Sequence, residues 1–326
     1  MKSDSRSRAG EGTAAEPASS TAPIVPALSV IVTIVTGGDT LRRFLQVMTR
    51  QEQAPTLEIL VPYDASIPET AAIGREFPEC ILLDIGSPVT ERPIGTAAGQ
   101  HELYDRRRAA GLARARGTLI SILEDRAPPR ADWARQVVQL HDRLPWGVIG
   151  GAIECAPGDL LNWAIYTCDF SRYGLPFESG PRRWVSDVNV SYKRGMIDET
   201  REIWQNRYVE TLVHWALLER GETLYLSSEM VVEYRGTHPS LPGALRQRFH
   251  WGRLFGHVRA MRLSPVRRVV YALLGPVIAP MLLLRHGRTQ ARLGNFPRFL
   301  RAAPTIALLL AAWMSGEVWG YVTNRP

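Results

Sequence analysis

Cysteine is scarce in this 326-residue chain, which has only Cys80, Cys155 and Cys168. Three widely spaced thiols with no CxxC spacing argue against a disulfide scaffold and against a structural zinc site. Reduced thiols facing a cytosol are the expectation. Lysine is nearly missing as well, at positions 2 and 193 alone, so almost all positive charge is arginine. We attach no mechanical meaning to that bias. No charged-then-apolar leader opens the chain, and no internal repeat is visible. The short apolar run 27–35 is β-branched and reads as a buried strand, not a span. The glycine pair after it, Gly37-Gly38-Asp39, is too short and too acidic for a basic, glycine-rich phosphate loop.

What is present is unevenly distributed. The net charge is +7, but the segment from Arg246 onward holds 13 arginines and a single acid, Glu317. That segment carries +12 and the rest of the chain −5. An acidic body with one basic end does not fit nucleic acid, and we expect no such partner. It fits one basic face near an anionic membrane surface. Hydrophobic residues make up 45% of the chain, enough for a large core.

Residues 1–26 are rich in Ser, Ala, Gly, Glu and Pro without periodicity, and read as a disordered tail. An alternation of strand and helix then begins. Strands are expected over 28–35, 57–61, 80–83, 118–123 and 147–153, with helices over 39–48, 68–77, 102–116 and 133–144. Such alternation predicts an α/β domain with a mostly parallel sheet covered by helices. Ligands of these sheets lie at the carboxyl ends of the strands, and Asp64 and Glu124-Asp125 fall just past two such ends. The second half is less regular: a strand at 184–190, a helix over 208–220, short strands at 224–226 and 230–234, and an amphipathic helix over 246–261.

Two apolar stretches, 269–284 and 304–322, close the chain. Crossing a bilayer takes about 20 residues. The first stretch is short, contains Gly275, Pro276 and Pro280, and has arginines on both flanks. It therefore reads as a re-entrant or interfacial hairpin. The second reads as a span or a second interfacial helix. We divide the chain into a tail (1–26), an α/β domain (27–245) and a basic, membrane-associated end (246–326).

Several segments together resemble family 2 glycosyltransferases of the GT-A fold. The opening strand and helix lead to Leu57-Glu58-Ile59-Leu60-Val61 and to Tyr63-Asp64-Ala65-Ser66, similar to the family's acid-bearing turn. The run from Arg107-Arg108-Ala109 to Gly117 resembles its Ala-Arg-Asn-x-Gly helix. Glu124-Asp125-Arg126 resembles its strand-end acidic motif, followed by Pro128-Pro129 and Asp132-Trp133. Asn189-Val190-Ser191-Tyr192-Lys193-Arg194 resembles its Asn-x-x-Tyr-Arg-Arg segment. The ordered set covers roughly 27–260.

The resemblance implies an inverting transferase. It would move a sugar from a nucleotide-diphosphate donor to a lipid-linked or glycan acceptor, on the cytoplasmic side of the inner membrane. Asp125 is the implied ligand for Mg2+ or Mn2+. Asp64, Arg108, Glu124 and Thr33 are the implied donor contacts. Glu210, at the start of a helix, is the implied base that takes the acceptor proton, and Asp187 is second. The chain departs from the pattern at Ala109, at the end of its first strand, and at Arg126. An arginine at 126 repels a metal and can clamp a phosphate. These departures admit an alternative, a GT-A-like binding or scaffold protein with a degenerate site. Trp163, Tyr166, Trp204 and Trp215 are aromatic candidates for a sugar platform, with core packing the stronger role for most. His214 reads as a packed helix residue.

Overall fold

The computed structural model describes residues 25–236 and 240–323. The expected tail lies, but for its last two residues, outside the described residues. Eight strands are found among the described residues: β1 Leu28–Thr33, β2 Leu57–Tyr63, β3 Cys80–Asp84, β4 Leu119–Glu124, β5 Val148–Cys155, β6 Gly180–Arg182, β7 Asn189–Lys193 and β8 Leu224–Tyr234. The helices of the first half are α1 Gly38–Met48, α2 Thr70–Gly74, α3 Ala97–Arg114, α4 Trp133–Arg143 and α5 Leu160–Phe170. Those of the second are α6 Arg194–Glu199, α7 Arg201–Trp204, α8 Glu210–Glu219, α9 Leu241–Ala260, α10 Pro265–Arg292 and α11 Phe296–Thr323.

One sheet runs β3-β2-β1-β4-β7-β5-β8-β6. Six strands point the same way, and only β7 and β6 oppose them. β1 and β4 are buried at every position, as continuous apolar strands covered on both faces must be. Their parallel register sets Thr33 beside Glu124.

The reversed strand β7 has two consequences. It joins the two halves of the sheet, and the turn before it brings Asp187 to the carboxyl end of β4. Where two short strands are expected at 224–226 and 230–234, a single strand, β8, runs with a register break opposite Gly151 and Ala152. Asn189 fills that break. Its amide donates to the carbonyls of Ala152 and Met230, each at 2.9 Å, and its carbonyl accepts from Trp133 Nε1 at 3.0 Å. Both amide hydrogens and the carbonyl of a fully buried side chain are thereby partnered.

The basic helix expected at 246–261 is α9, which begins earlier, at Leu241, with Ser240 accepting from Gly243 N–H as its cap. Each apolar stretch lies inside a longer helix, α10 and α11, both long and apolar enough to cross a membrane. α11 packs on α5 through Phe299, Ala302 and Ile306 against Trp163 and Ile165. Its other end crosses α9 through two glycine pairs, Gly252 and Gly256 on α9 with Gly316 and Gly320 on α11. A Cβ at Gly316 would collide with the Phe249 carbonyl, and one at Gly256 with the Glu317 carbonyl. The helices therefore meet backbone to backbone, the arrangement a small-xxx-small spacing permits. Glu317, the one acid of the basic end, faces α9. It pairs with Arg259 at 3.1 Å, accepts from Trp313 Nε1 at 3.1 Å and is bonded by the Tyr321 hydroxyl.

Gly316→Ile is expected to destabilise the fold by about 1–3 kcal/mol or more, because no rotamer change can clear a backbone carbonyl. Gly195→Ala, where a Cβ meets nothing within 4 Å, is the control and leaves the melting temperature essentially unchanged. Equal melting temperatures for the two variants would mean that α9 and α11 do not meet through these glycines.

Candidate active site

A cavity of about 290 Å³ opens at the carboxyl ends of β1 and β4. Its polar wall comes from α3, the β4 end, the turn before β7 and the start of α8: Arg108, Glu124, Arg126, Asp187 and Glu210. Its apolar roof comes from α9, through Trp251, Leu254, Phe255 and Val258, and from α11 through Trp313.

Arg108 organises the polar wall. It is 3% exposed, lies 2.9 Å from Asp187, 3.2 Å from Glu124 and 3.6 Å from Asp105, and donates to Thr33 Oγ1 at 3.0 Å. Burial opposes its charge, but the three carboxylates overcome that and raise its pKa. Arg126 bonds the other Glu124 oxygen at 2.7 Å and lies over the Tyr234 ring at 5.1 Å. Glu124 is thus held between two guanidiniums. Burial pushes its carboxyl up, yet Arg126 and Arg108 bring it below the usual range.

Asp187 and Glu210 behave differently. Burial raises the pKa of Glu210 well above the ordinary carboxylate value, and the Asp187 charge beside it raises it further. Asp187 is raised by burial as well, with Arg108 opposing and Glu124 assisting. Two like-charged groups in one desolvated place cannot both ionise easily. Behind Glu210, His214 Nδ1 lies at 3.5 Å, and His214 Nε2 meets the Tyr192 hydroxyl at 2.7 Å. Burial draws the His214 pKa down to about 3, so the ring is neutral. An elevated carboxyl at a helix N-terminus, facing a cavity, has the chemistry of a proton acceptor for work near neutral pH.

The structure brings Glu124, Arg108, Asp187 and Glu210 into one cavity, with Thr33 directly beneath. It does not bring Asp64 or Asp125 there. Asp64 is 1% exposed and paired with the neighbouring arginine, Arg107, at 2.7 Å, while its other oxygen accepts from Ser66 N–H at 2.8 Å. Its carboxylate is spent on bracing the β2 end. Asp125 needs a correction too. Its two oxygens accept backbone N–H groups from Val35 at 3.0 Å, Thr36 at 3.1 Å and Gly37 at 2.7 Å. It anchors the β1–α1 turn and borders a different cleft, with Arg43, Asp159 and Arg235. It is therefore no free metal ligand. Among the described residues no three His, Cys, Asp or Glu side chains converge to hold a metal ion. The only acid at the β4 end that faces the cavity, Glu124, already carries Arg108 and Arg126. As placed, Asp125 and Glu124 present no open carboxylate to Mg2+ or Mn2+.

Sequence reasoning named Arg108 but missed the rest of the α3 face around it, His101, Tyr104 and Asp105. Their spacing of three, four and seven residues is the signal that one helix side serves the cavity. The amphipathic helix expected at 246–261 is the roof; what went unread is the paired Gly-x-x-x-Gly spacing that holds it against α11. Trp163, Tyr166 and Trp204 are buried in packing, and Trp215 lies under Arg262, so none of the four lines the cavity.

No protein-family model and no curated protein matches the sequence. Solved structures do. The mannosyltransferase PcManGT from Pyrobaculum calidifontis, in complex with GDP-Man and Mn2+, aligns over 91% of this chain and 88% of its own, at 13% identity and a TM-score of 0.51. S. aureus TarS aligns over 76% of this chain and 43% of its own, at 14% identity and a TM-score of 0.47, a likeness too loose to argue from. The chain has a glycosyltransferase fold. At such identities the likeness speaks for fold alone.

Two outcomes test this geometry. Asp187→Asn removes a charge that opposes ionisation of Glu210, so the Glu210 pKa falls, as a carboxyl-carbon NMR titration would read; an unchanged or higher value contradicts the coupling. Asp125→Ala strands three N–H groups, the one at Gly37 buried and those at Val35 and Thr36 partly so, and costs about 1–3 kcal/mol of stability by denaturant titration.

Proposed function

We propose that the chain is an inverting glycosyltransferase using a nucleotide-diphosphate sugar, with a lipid-linked or glycan acceptor, at the cytoplasmic face of the inner membrane. The observation that supports it best is the division of one cavity into two chemistries. Arg108 and Arg126 offer fixed positive charge for a diphosphate, while the Asp187–Glu210 pair offers a carboxyl of elevated pKa.

The acceptor hydroxyl loses its proton to Glu210 while its oxygen forms a new bond to the anomeric carbon. The bond from that carbon to the donor diphosphate breaks, and its electron pair leaves on the phosphate oxygen. Arg126 and Arg108 offset the charge that accumulates there, in a desolvated site where such compensation is strongest. Attack opposite the leaving group inverts the anomeric centre. Glu124 holds both guanidiniums in position and makes no bond in the step. PcManGT is described with Mn2+ and GDP-Man; the residues at the β4 end of this chain favour arginine in place of a metal, and no step here uses one.

Binding of UDP, GDP and dTDP by calorimetry, in EDTA and then in Mn2+, tests the reading. One nucleotide is expected to bind in EDTA, and Arg126→Ala is expected to weaken it at least tenfold. Binding that strictly requires Mn2+ would overturn the role given to Arg126. No binding under either condition would favour a scaffold that keeps the fold without the chemistry. Glu210→Gln is expected to lower kcat by about 10²–10⁴ with nucleotide affinity retained. Because Glu210 must be unprotonated to act, the wild-type rate rises with pH along a limb lying above the ordinary carboxylate range.

A further inference from the structure

We infer that α10 and α11 lie flat in one leaflet of an anionic bilayer, on the side that carries the catalytic domain, and do not cross it. This deepens only the membrane clause of the proposed function and is independent of its chemistry.

Reach decides between lying flat and crossing. Each helix has 28 residues, about 42 Å at 1.5 Å per residue, against a hydrocarbon core of about 30 Å. A crossing helix leaves its domain behind at one end, yet α10 is tied to the same domain at both. Just before it, Arg262 pairs with Glu219 of α8 at 2.8 Å and lies over the Trp215 ring at 5.0 Å. Near its far end, His286 Nδ1 meets Ser171 Oγ, just past α5, at 3.1 Å. The two ties are separated by about 36 Å of chain at helical rise, more than the membrane core. α11 repeats the pattern. Arg298 donates to the Gly158 carbonyl at 3.3 Å and lies over the Trp163 ring, and Tyr321 at the other end accepts from Arg259 of α9. If either helix spanned, charged catalytic-domain residues would be drawn through hydrocarbon.

What the helices present outward fits a leaflet. Val266, Val269, Leu273, Val277, Met281 and Leu284 recur at steps of three and four, and each is more than half exposed. They form one apolar stripe along α10. At its end, Arg172, Arg285, Arg288 and Arg292 line a pocket of about 450 Å³ with Trp184 and no carboxylate. One of these four comes from the catalytic domain, which puts that domain level with the helix ends. Guanidiniums at the rim of an apolar stripe match the phosphates of anionic lipid headgroups.

The turn between α10 and α11 separates the two arrangements. In sealed vesicles carrying the full chain, Asn295→Cys is probed with a membrane-impermeant maleimide from each side. Ser87→Cys marks the domain side, and wild type supplies the background of the native thiols. Labelling of residue 295 from the same side as residue 87 is expected; labelling from the opposite side alone overturns the proposal. An independent arm is flotation with vesicles of neutral lipid, with and without phosphatidylglycerol, with inorganic phosphate as soluble competitor. Binding is expected to need the anionic lipid, to resist inorganic phosphate, and to fall at least tenfold in R285E/R288E. The charge-matched R267E/R268E is expected to lose less. Equal losses from the two variants would mean a diffuse field and no headgroup pocket. A chain that ignores vesicles and covers the stripe as a dimer in solution would overturn the leaflet itself.

Discussion

The structure depends on one buried guanidinium. Arg108 projects from α3 into a place where β1, β4 and the turn before β7 converge, and it satisfies carboxylates from three of these elements and a hydroxyl from the fourth. Removing either sign from such a cluster leaves an uncompensated charge in a low-dielectric interior, which is far costlier than losing a surface pair. The cluster therefore fixes where α3 sits on the sheet and how far apart Glu124 and Asp187 stand. Packing around the site follows from that electrostatic requirement. Arg126 extends it by taking the free side of Glu124, so that the carboxylate at the strand end is held between two guanidiniums.

The roof obeys a different constraint. α9 must lie close over the polar wall to exclude water, and it is held there by α11, whose glycines let the two backbones touch. The same pair of helices that closes the cavity continues into the apolar, arginine-rimmed end of the chain. Glu317 shows how that end tolerates its single acid: the carboxylate turns inward to Arg259, Trp313 and Tyr321. A charge that argues against a hydrophobic segment in one dimension is an interhelical contact in three.

Much of the first half was legible in the sequence because its strands are short, mostly apolar runs, wholly buried in β1 and β4, with a turn residue after each. The strand expected at 184–190 lies further on, as β7 at Asn189–Lys193, and its direction was not legible, since these residues alternate in the same way whichever way the strand runs. β8 read as two strands because Ser227, Ser228 and Glu229 interrupt the apolar pattern; the interruption is a register break plugged from outside by Asn189. At the site, Glu124 and Asp125 illustrate the limit. Adjacent residues at a strand end point in opposite directions, so one reaches the cavity and the other folds back onto the N–H groups of Val35, Thr36 and Gly37. Arg107 and Arg108 divide in the same way, one to Asp64 and one to Glu124. Motif order identifies such pairs, and only the pleat and the helix phase decide which member faces the ligand.

The position of β7 also dictates a timetable for synthesis. As the chain leaves the ribosome, β1 to β4 can pair with one another once residue 124 has emerged. β5 follows by residue 155 with no neighbour available, because both strands that flank it, β7 and β8, are still to come. Its apolar run, Val148 to Ile153, must wait through nearly forty further residues before Asn189 to Lys193 arrive to cover one edge. The nascent protein thus passes through a stage with half a sheet complete and one greasy strand unattended, the interval in which a chaperone would be of most use to it.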